Sequence, residues 1–462
     1  MSRFIEDLLR SRGGEKFKLH EQLMNTQMVR VLKTIGFDRH YTRGVGPYLF
    51  DEHGDRYLDL LSGWGALALG RNHPVVNGAL QEVMEAELPN LVQMDVSPLS
   101  GLLAEALLAT APGDGLEKVL FANSGTEAVE AAIKLARYAT RRDGLIHCDH
   151  GFHGLTMGSL SLNGDATFRN GFGPLLPDCH MVPFDDLEAL EAALRRRTAA
   201  AFVVEPIQGK GVNIPSDSYL PEAKRLCERY GTVFIADEIQ TGLGRTGAMW
   251  AVEHWGVEPD MLVTAKALSG GQIPVGAVLS RKRIYNAVFD RMERAVIHGS
   301  TFGQNNAAMA AGLATLHVLK EERLVSHAKA MGERLMAAMA PFVERYEFVK
   351  DVRGKGLMIA LEFGPPQSLK LRASWAMLEK ADKSLFSQMV LVPLFAKHRI
   401  LAQVAGHGMH VIKLLPPLVI DEADVAWTVA AFDDVIADCH KVPGSIWSLG
   451  TTLAGHAIAA RR

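Results

Sequence analysis

Two residues of opposite chemistry stand at the ends of two short apolar runs. Val233-Phe-Ile-Ala236 stops at a carboxylate, Asp237, and Met261-Leu-Val-Thr264 stops just before an amine, Lys266. In open α/β sheets reactive groups collect in the crevice at the carboxyl ends of strands, so two such strands would bring acid and amine to one edge. Ala265 and Ala267 flank the lysine. Desolvation there would lower its affinity for a proton and leave a nucleophilic amine. Taken alone, the two residues also admit a plain buried ion pair.

Other segments carry matching pieces. Val119-Leu-Phe121 reads as a strand running into Asn123-Ser-Gly-Thr126, then a helix with Val129, Ala132, Ile133 and Ala136 on one side. A small polar turn opening a helix presents free N–H groups to an anion, and the helix dipole favours it. The plainer alternative is an N-cap by Ser124 or Thr126. Phe152 and His153 follow the strand Leu145 to Cys148 in HGFHGLT, Glu205 ends the strand Ala200 to Val204, and Gly299-Ser-Thr301 is a second hydroxyl-rich turn. A lysine for a Schiff base, an acid for a pyridinium nitrogen, a ring to stack and donors for a phosphate together make a pyridoxal 5'-phosphate site.

Two other patterns are set aside. Gly242-Leu-Gly244-Arg-Thr-Gly247 fits GxGxxG, but five residues separate it from the strand end and a poor helix follows, against the nicotinamide fingerprint. His150 and His153 are three apart across Gly151 and read as loop polar groups; no metal spacing is present.

These residues need a scaffold. Short β runs alternate with helices over residues 100–300, which argues for a mainly parallel sheet covered by helices, an α/β fold. A β-hairpin is expected at 46–61 with its turn at Glu52-His-Gly54, then a Gly-rich loop holding Trp64. From about residue 306 two long helices precede a strand–turn–strand, so the expected division is 1–60 as an N-terminal arm and part of a small domain, 61–305 as a large domain, and 306–462 as a smaller α+β domain. Phe4, Ile5, Leu8 and Leu9 share one face of a first helix that Gly13-Gly14 would end, an arm for the body or a second subunit.

Composition narrows the class. The 462 residues are 48% hydrophobic, enough for a large core. A net charge of −3 gives no electrostatic footprint for nucleic acid. Cys148, Cys179, Cys227 and Cys439 form no CxxC pair and read as reduced thiols of a cytoplasmic protein. The charged N-terminus is no secretory signal, and no run reaches the roughly 18 apolar residues of a spanning helix.

On NSGTEAVEAAIKLAR, HGFHG, EPIQG, FIADEIQTGLGRTG, TAKALSGG, HGSTF, VRGKGL and LPPL, the chain resembles the class III (ornithine/GABA-type) aminotransferases, fold-type I pyridoxal phosphate enzymes, from about residue 45 to 420. The resemblance implies a seven-stranded type of sheet with helices on both faces, and that Lys266 carries the cofactor, Asp237 pairs with its ring nitrogen and Gln240 reaches the ring hydroxyl. Phe152 stacks on the ring with His153 beside it, and Gly125 and Thr126 bind the phosphate with Ser124 close by. Thr301 would contact the phosphate of a neighbouring subunit's cofactor, in a homodimer with interface active sites. Trp64, Glu205 and Lys413 fall to the substrate, a small-molecule amino donor such as glutamate and a carbonyl acceptor.

Two departures stand out. Gly303-Gln-Asn-Asn306 replaces the family's usual GGNP, which alters a helix start. Lys413, in HVIKLLPPL, stands where ornithine- and GABA-type members place a carboxylate-binding arginine; a lysine point charge does not replace that fork well. A Lys413–Glu205 pair would be either a retained carboxylate switch or a structural pair. The inference is that one substrate lacks an α-carboxylate, as a primary amine or its aldehyde. The apolar stretch Leu385 to Phe395 is either small-domain core or a greasy entrance for a long-chain substrate. A narrower likeness is to aminotransferases of hopanoid lipid synthesis, whose substrate would be a membrane-derived aldehyde met at the membrane periphery. The alternatives are an amino-acid ω-aminotransferase, a decarboxylase or aminomutase on the same scaffold, and, more remotely, a nicotinamide oxidoreductase.

Overall fold

The computed structural model describes residues 3–453 except 93, 382, 384, 445 and 452. Residues 454–462, the end of the expected C-terminal domain, lie outside the described residues.

Val233–Asp237 is apolar on both sides of the chain because both faces of its sheet are covered. Val233 and Ile235 pack with one core cluster; Phe234 and Ala236 pack with the other. Such continuous burial is what helices on both faces of a parallel sheet produce. The sheet has seven strands, in the order Lys118–Ala122, Gly276–Ser280, Met261–Thr264, Val233–Asp237, Ala199–Val204, Gly144–Cys148 and Cys179–Val182. Gly276–Ser280 runs antiparallel to both neighbours and the other pairings are parallel. The helix Gly125–Thr140 covers one face through Ala128, Val129, Ala132 and Ala136. The helix Tyr219–Tyr230 covers the other through Leu220, Ala223 and Cys227. This is the expected fold-type I arrangement.

Two four-stranded sheets hold the remaining strands. One joins the hairpin of Tyr48–Asp51 and Arg56–Asp59 to Tyr41–Val45 on one side and to Ile400–Leu401 on the other. The second has the order Val349–Lys355, Met358–Phe363, Val411–Leu414, Gln403–Val404 and places Lys413 opposite Ala360 and Gln403.

Three local expectations meet specific outcomes. Leu385–Ala396 is a helix whose Leu385, Phe386, Met389, Val390, Leu394 and Phe395 are all buried, so the apolar stretch is core and not a greasy entrance. Gly13-Gly14 ends the first helix, as expected: Phe4–Arg12 stops with Gly13 as its C-cap. The pair forms a single 3-10 turn between the helices Phe4–Arg12 and Lys16–Leu23. Phe4, Ile5 and Leu9 are exposed, so the body of the chain does not cover that face. Asn305 caps the helix Asn306–Glu321 by accepting the Ala308 N–H at 2.8 Å, which is what the GQNN departure supplies. No helix among the described residues is long and apolar enough to cross a membrane.

Gly242-Leu-Gly-Arg-Thr-Gly247 is a run of turns, followed only by a short 3-10 helix, Ala251–Trp255. Arg245 is buried, donates to the carbonyls of Leu357 (3.1 Å) and Pro416, and is pushed down to about 9 by burial. The Leu357 N–H returns a bond to the Arg245 carbonyl at 2.9 Å. Gly356 lies so close to Thr246 and Gly247 that a Cβ there would stand 2.4 Å from the Gly247 nitrogen.

Candidate active site

Asp237 is the last residue of its strand and is opposite Val263 in the parallel register. Three residues beyond Val263, the neighbouring chain reaches Lys266, so adjacent parallel strands deliver both groups to one edge. The Asp237 carboxylate is 2% exposed. Its Oδ1 accepts the Ile239 N–H at 3.1 Å, and its Oδ2 lies 2.7 Å from His153 Nδ1. The plain ion-pair reading of Asp237 and Lys266 therefore falls: among the described residues the charged partner of Asp237 is His153. His153 is buried and anchored by its N–H to Asn163 Oδ1 at 3.0 Å. Burial works against a charged imidazole, but the hydrogen bond and charge of Asp237 outweigh it and raise the His153 pKa. His150, by contrast, lies beside Asp149 at 3.5 Å with half its side chain in solvent.

Lys266 opens a short 3-10 turn, Lys266–Ser269, with φ +39°. A lysine rarely holds that backbone geometry, and strain of this kind costs of order 1–3 kcal/mol. Its amine has no hydrogen-bond or ion-pair partner among the described residues. Burial pushes its pKa below the ordinary lysine value, against the opposing charges of Asp237 and Glu205. A strained, desolvated and unpaired amine is a nucleophile waiting for an electrophile.

The phosphate-type turn is both cap and cradle. Ser124 caps the helix Gly125–Thr140 through the Glu127 N–H (3.2 Å), leaving the N–H groups of Gly125 and Thr126 without intrahelical partners. The Thr126 hydroxyl lies 2.7 Å from that of Thr156 and 2.6 Å from that of Ser159. Ser300 reaches the same turn through Asn123 Nδ2. Thr301, next to it, is exposed and lines a cavity of about 320 Å³ with Leu88, Phe121, Gly303 and Asn306, a set that does not include Lys266 or Asp237.

Glu205 and Lys413, both expected at the substrate, meet at one residue, Gly209. Glu205, 6% exposed, accepts the Phe152 N–H (2.9 Å) and the Gly209 N–H (2.8 Å). Burial raises its pKa against the charge of His153 and the two backbone bonds. Lys413, 5% exposed, donates to the carbonyl of the same Gly209 (2.6 Å) and to Gln240 Oε1 (3.0 Å). The expected Lys413–Glu205 ion pair is absent among the described residues; Gly209 stands between them. Burial, helped by the charge of Lys266 and opposed by Glu205, pushes the Lys413 amine down to about 7. Gln240 Nε2 donates to the Trp64 carbonyl at 2.9 Å, so its amide is held between Trp64 and Lys413. The Trp64 indole is 62% exposed and donates to Gln403 Oε1 at 2.9 Å. Gly209, Asn163 and Gln403 were not singled out from the sequence; only the place of Gly209 at the end of EPIQG hints at the first.

An unpaired amine, a buried carboxylate at the neighbouring strand end and two free N–H groups at a helix start form the donor set that a phosphorylated pyridine aldehyde needs. The geometry thus defines a fold-type I pyridoxal phosphate enzyme. The family described as aminotransferase class-III matches residues 33–436, and the chain belongs to it. Aminotransferase PigE of Serratia sp. (strain ATCC 39006) is 35% identical over 448 residues, 90% of this chain and 52% of that protein, so the chain spans about half the length of this curated relative. Among solved structures, ornithine aminotransferase from Toxoplasma gondii is similar with a TM-score of 0.76 and 31% identity, over 86% of this chain and 90% of that one. An amine transaminase from an uncultivated Pseudomonas species, solved with pyridoxal phosphate bound, has a TM-score of 0.75 and 31% identity, over 87% and 95%. The chain thus has the fold and site of a class III, pyridoxal phosphate-dependent aminotransferase.

Proposed function

We propose that the enzyme transfers an amino group from an amino-acid donor such as glutamate to a carbonyl acceptor that lacks an α-carboxylate, giving a primary amine. The observation that carries this reading is Lys413. It occupies the position of a carboxylate-binding arginine, yet it is held by a carbonyl and a neutral amide, with no carboxylate within ion-pair distance among the described residues. A buried cation with neutral partners gains from an entering anion and, once deprotonated, tolerates a neutral substrate. The similarity to an amine transaminase supports an amine product, and the similarity to ornithine aminotransferase supports an amino-acid partner. A hopanoid-type lipid aldehyde remains within this class. The buried Leu385–Ala396 helix lends it no support, which leaves smaller apolar acceptors ahead.

Lys266 would hold the cofactor through Nζ, Asp237 would face its ring nitrogen, and Phe152 would lie on its ring. Gly125, Thr126 and Ser124 would meet its phosphate, Gln240 its ring hydroxyl, and Thr301 the phosphate bound by a second copy of the chain in a homodimer. When bound, the cofactor supplies an electron-accepting ring that stabilises charge left on the substrate carbon. Asp237 keeps a proton at that ring nitrogen, and His153 fixes the carboxylate that does so. Lys266 Nζ takes the proton from the substrate carbon bearing nitrogen and returns it, a general base and then a general acid. Trp64 and Gln240 would shape the space above it, with Glu205 anchoring Phe152 and Gly209.

Lys266→Ala tests the core of this reading. The purified variant is expected to lack the visible absorbance of the bound cofactor and to show no turnover with any amine. Normal activity would overturn the assignment.

A further inference from the structure

Beyond Lys413 the mouth of the site continues along residues with no role so far. Asp165 caps the short helix Ala166–Arg169 and holds Lys210 Nζ at 2.9 Å. Lys210 is largely buried and lies 4.3 Å over the Phe168 ring and 5.8 Å over the Phe152 ring. Phe168 meets Phe152 edge to face with ring centroids 5.5 Å apart. His407, on the loop between Gln403–Val404 and Val411–Leu414, meets Phe168 edge to face at 5.3 Å and brings Nδ1 within 3.7 Å of Asp165. The same small-domain strands carry Gln403, which holds Trp64 and pairs with Lys413. The rim therefore runs from Trp64 through Gln403 and His407 to Phe168 and Phe152, around Gln240 and Lys413.

The rim is aromatic and electrically balanced. The carboxylate of Asp165 offsets the charge of Lys210, so this side offers an entering molecule ring faces and edges with no spare cation for a second carboxylate. We propose that Phe168 and His407 form the outer wall of the substrate pocket and select amines and aldehydes that carry an aromatic or bulky apolar group beside the reacting carbon. This deepens the proposed function and rests on it. Aromatic side chains at such a wall contribute large contact area and edge-to-face geometry, and a hydrophobic pocket discriminates by about 10- to 200-fold for small changes in fit.

The test is a half-reaction. Purified enzyme in its cofactor-bound form is mixed with benzylamine or ethylamine, and the visible absorbance change is followed for the parent, Phe168→Ala, Phe168→Tyr, His407→Ala and His407→Phe. The parent should prefer benzylamine. The benzylamine-to-ethylamine ratio of rate constants should fall about tenfold in Phe168→Ala and several-fold in His407→Ala. It should persist in Phe168→Tyr and in His407→Phe. A ratio that stays within about twofold of the parent in both alanine variants overturns the wall. A Phe168→Ala protein that loses the resting cofactor band makes Phe168 a prop for Phe152 and overturns its share. His407→Ala then decides the remainder, because its side chain is 61% exposed and its ring pairs with Phe168 and, among the described residues, not with Phe152. If neither amine changes the parent's spectrum, it is the amine-transfer reading itself that fails, a result separate from failure of the wall.

Discussion

The two sides of this site are built differently. On the cofactor side, Asp237, His153, Gly125, Thr126 and Lys266 all sit on or just past strands of one sheet, and Asp237 and His153 are nearly sealed from solvent. On the side proposed for the substrate, Trp64, Gln240, Lys413, Phe168 and His407 come from separate sheets and loops, and Trp64 and His407 face solvent. Charge divides the same way. Asp237 faces an ionisable imidazole whose pKa its own charge and hydrogen bond raise, whereas among the described residues Lys413 meets a carbonyl and an amide. A sheet edge fixes groups that must keep one geometry through every turnover. A meeting of separate sheets and loops suits groups that must accept two different molecules in turn.

Asp237→Asn is the sharpest way to break the first half of that contrast. An amide keeps the shape and removes the charge that holds the ring-nitrogen proton. Loss of one preorganised electrostatic partner typically costs about 100- to 1,000-fold in rate. The variant should still bind cofactor, with kcat reduced on that scale for every amine alike. A loss confined to one donor would place Asp237 on the wrong side of the site.

His153 tests whether the cofactor side is preorganised or merely buried. His153→Leu leaves Asp237 without its imidazole, and a partner that orients a reacting group is typically worth about 10- to 100-fold. The expected signature is a lowered kcat with little change in KM, together with a shifted pH midpoint of the cofactor's visible band. His153→Asn, which can still donate to the carboxylate, should recover part of both. A His153→Leu enzyme with the parent's pH midpoint would reduce His153 to packing.

Legibility follows the same division. Asp237, Lys266 and Ser124–Thr126 could be read from the sequence because strand ends and helix starts are local events, written within a few neighbouring residues. The His153–Asp237 bond spans 84 residues and left no local trace. The Lys413 bond to Gly209 spans 204 residues and the Gln240 bond to Trp64 spans 176, so the expected Lys413–Glu205 pair missed the backbone unit that intervenes. Hydrophobic content alone did not separate a wall from a core at Leu385–Ala396, since both are apolar; only the packing of Phe386 and Phe395 decides it.

Lys413 sharpens the substrate half. Lys413→Met should raise KM for glutamate about tenfold or more, the scale of one charge-assisted hydrogen bond, and change KM for ethylamine far less. Lys413→Arg should hold glutamate at least as well as the parent. Equal losses for glutamate and ethylamine in Lys413→Met would remove Lys413 from carboxylate recognition.

The smallest effect expected is on stability, and it reports the same lysine without any substrate. In the folded chain burial holds the Lys413 amine near 7, whereas an unfolded lysine titrates near about 10.4. Between those values the unfolded chain binds a proton that the folded chain lacks. Stability from this group therefore rises with pH across the window, is fully present above it, and is lost as pH falls towards 7. Other groups titrate in the same range: the buried thiols of Cys148, Cys227 and Cys439 are pushed up by burial and act in the opposite sense. The difference between parent and Lys413→Met isolates the lysine from them. In cofactor-stripped protein the variant should melt above the parent near pH 7, with the gap narrowing steadily towards pH 10. A gap independent of pH would mean that Lys413 stays charged in the fold, and the contrast between an acid facing an imidazole and an amine held by neutral partners would lose its second term.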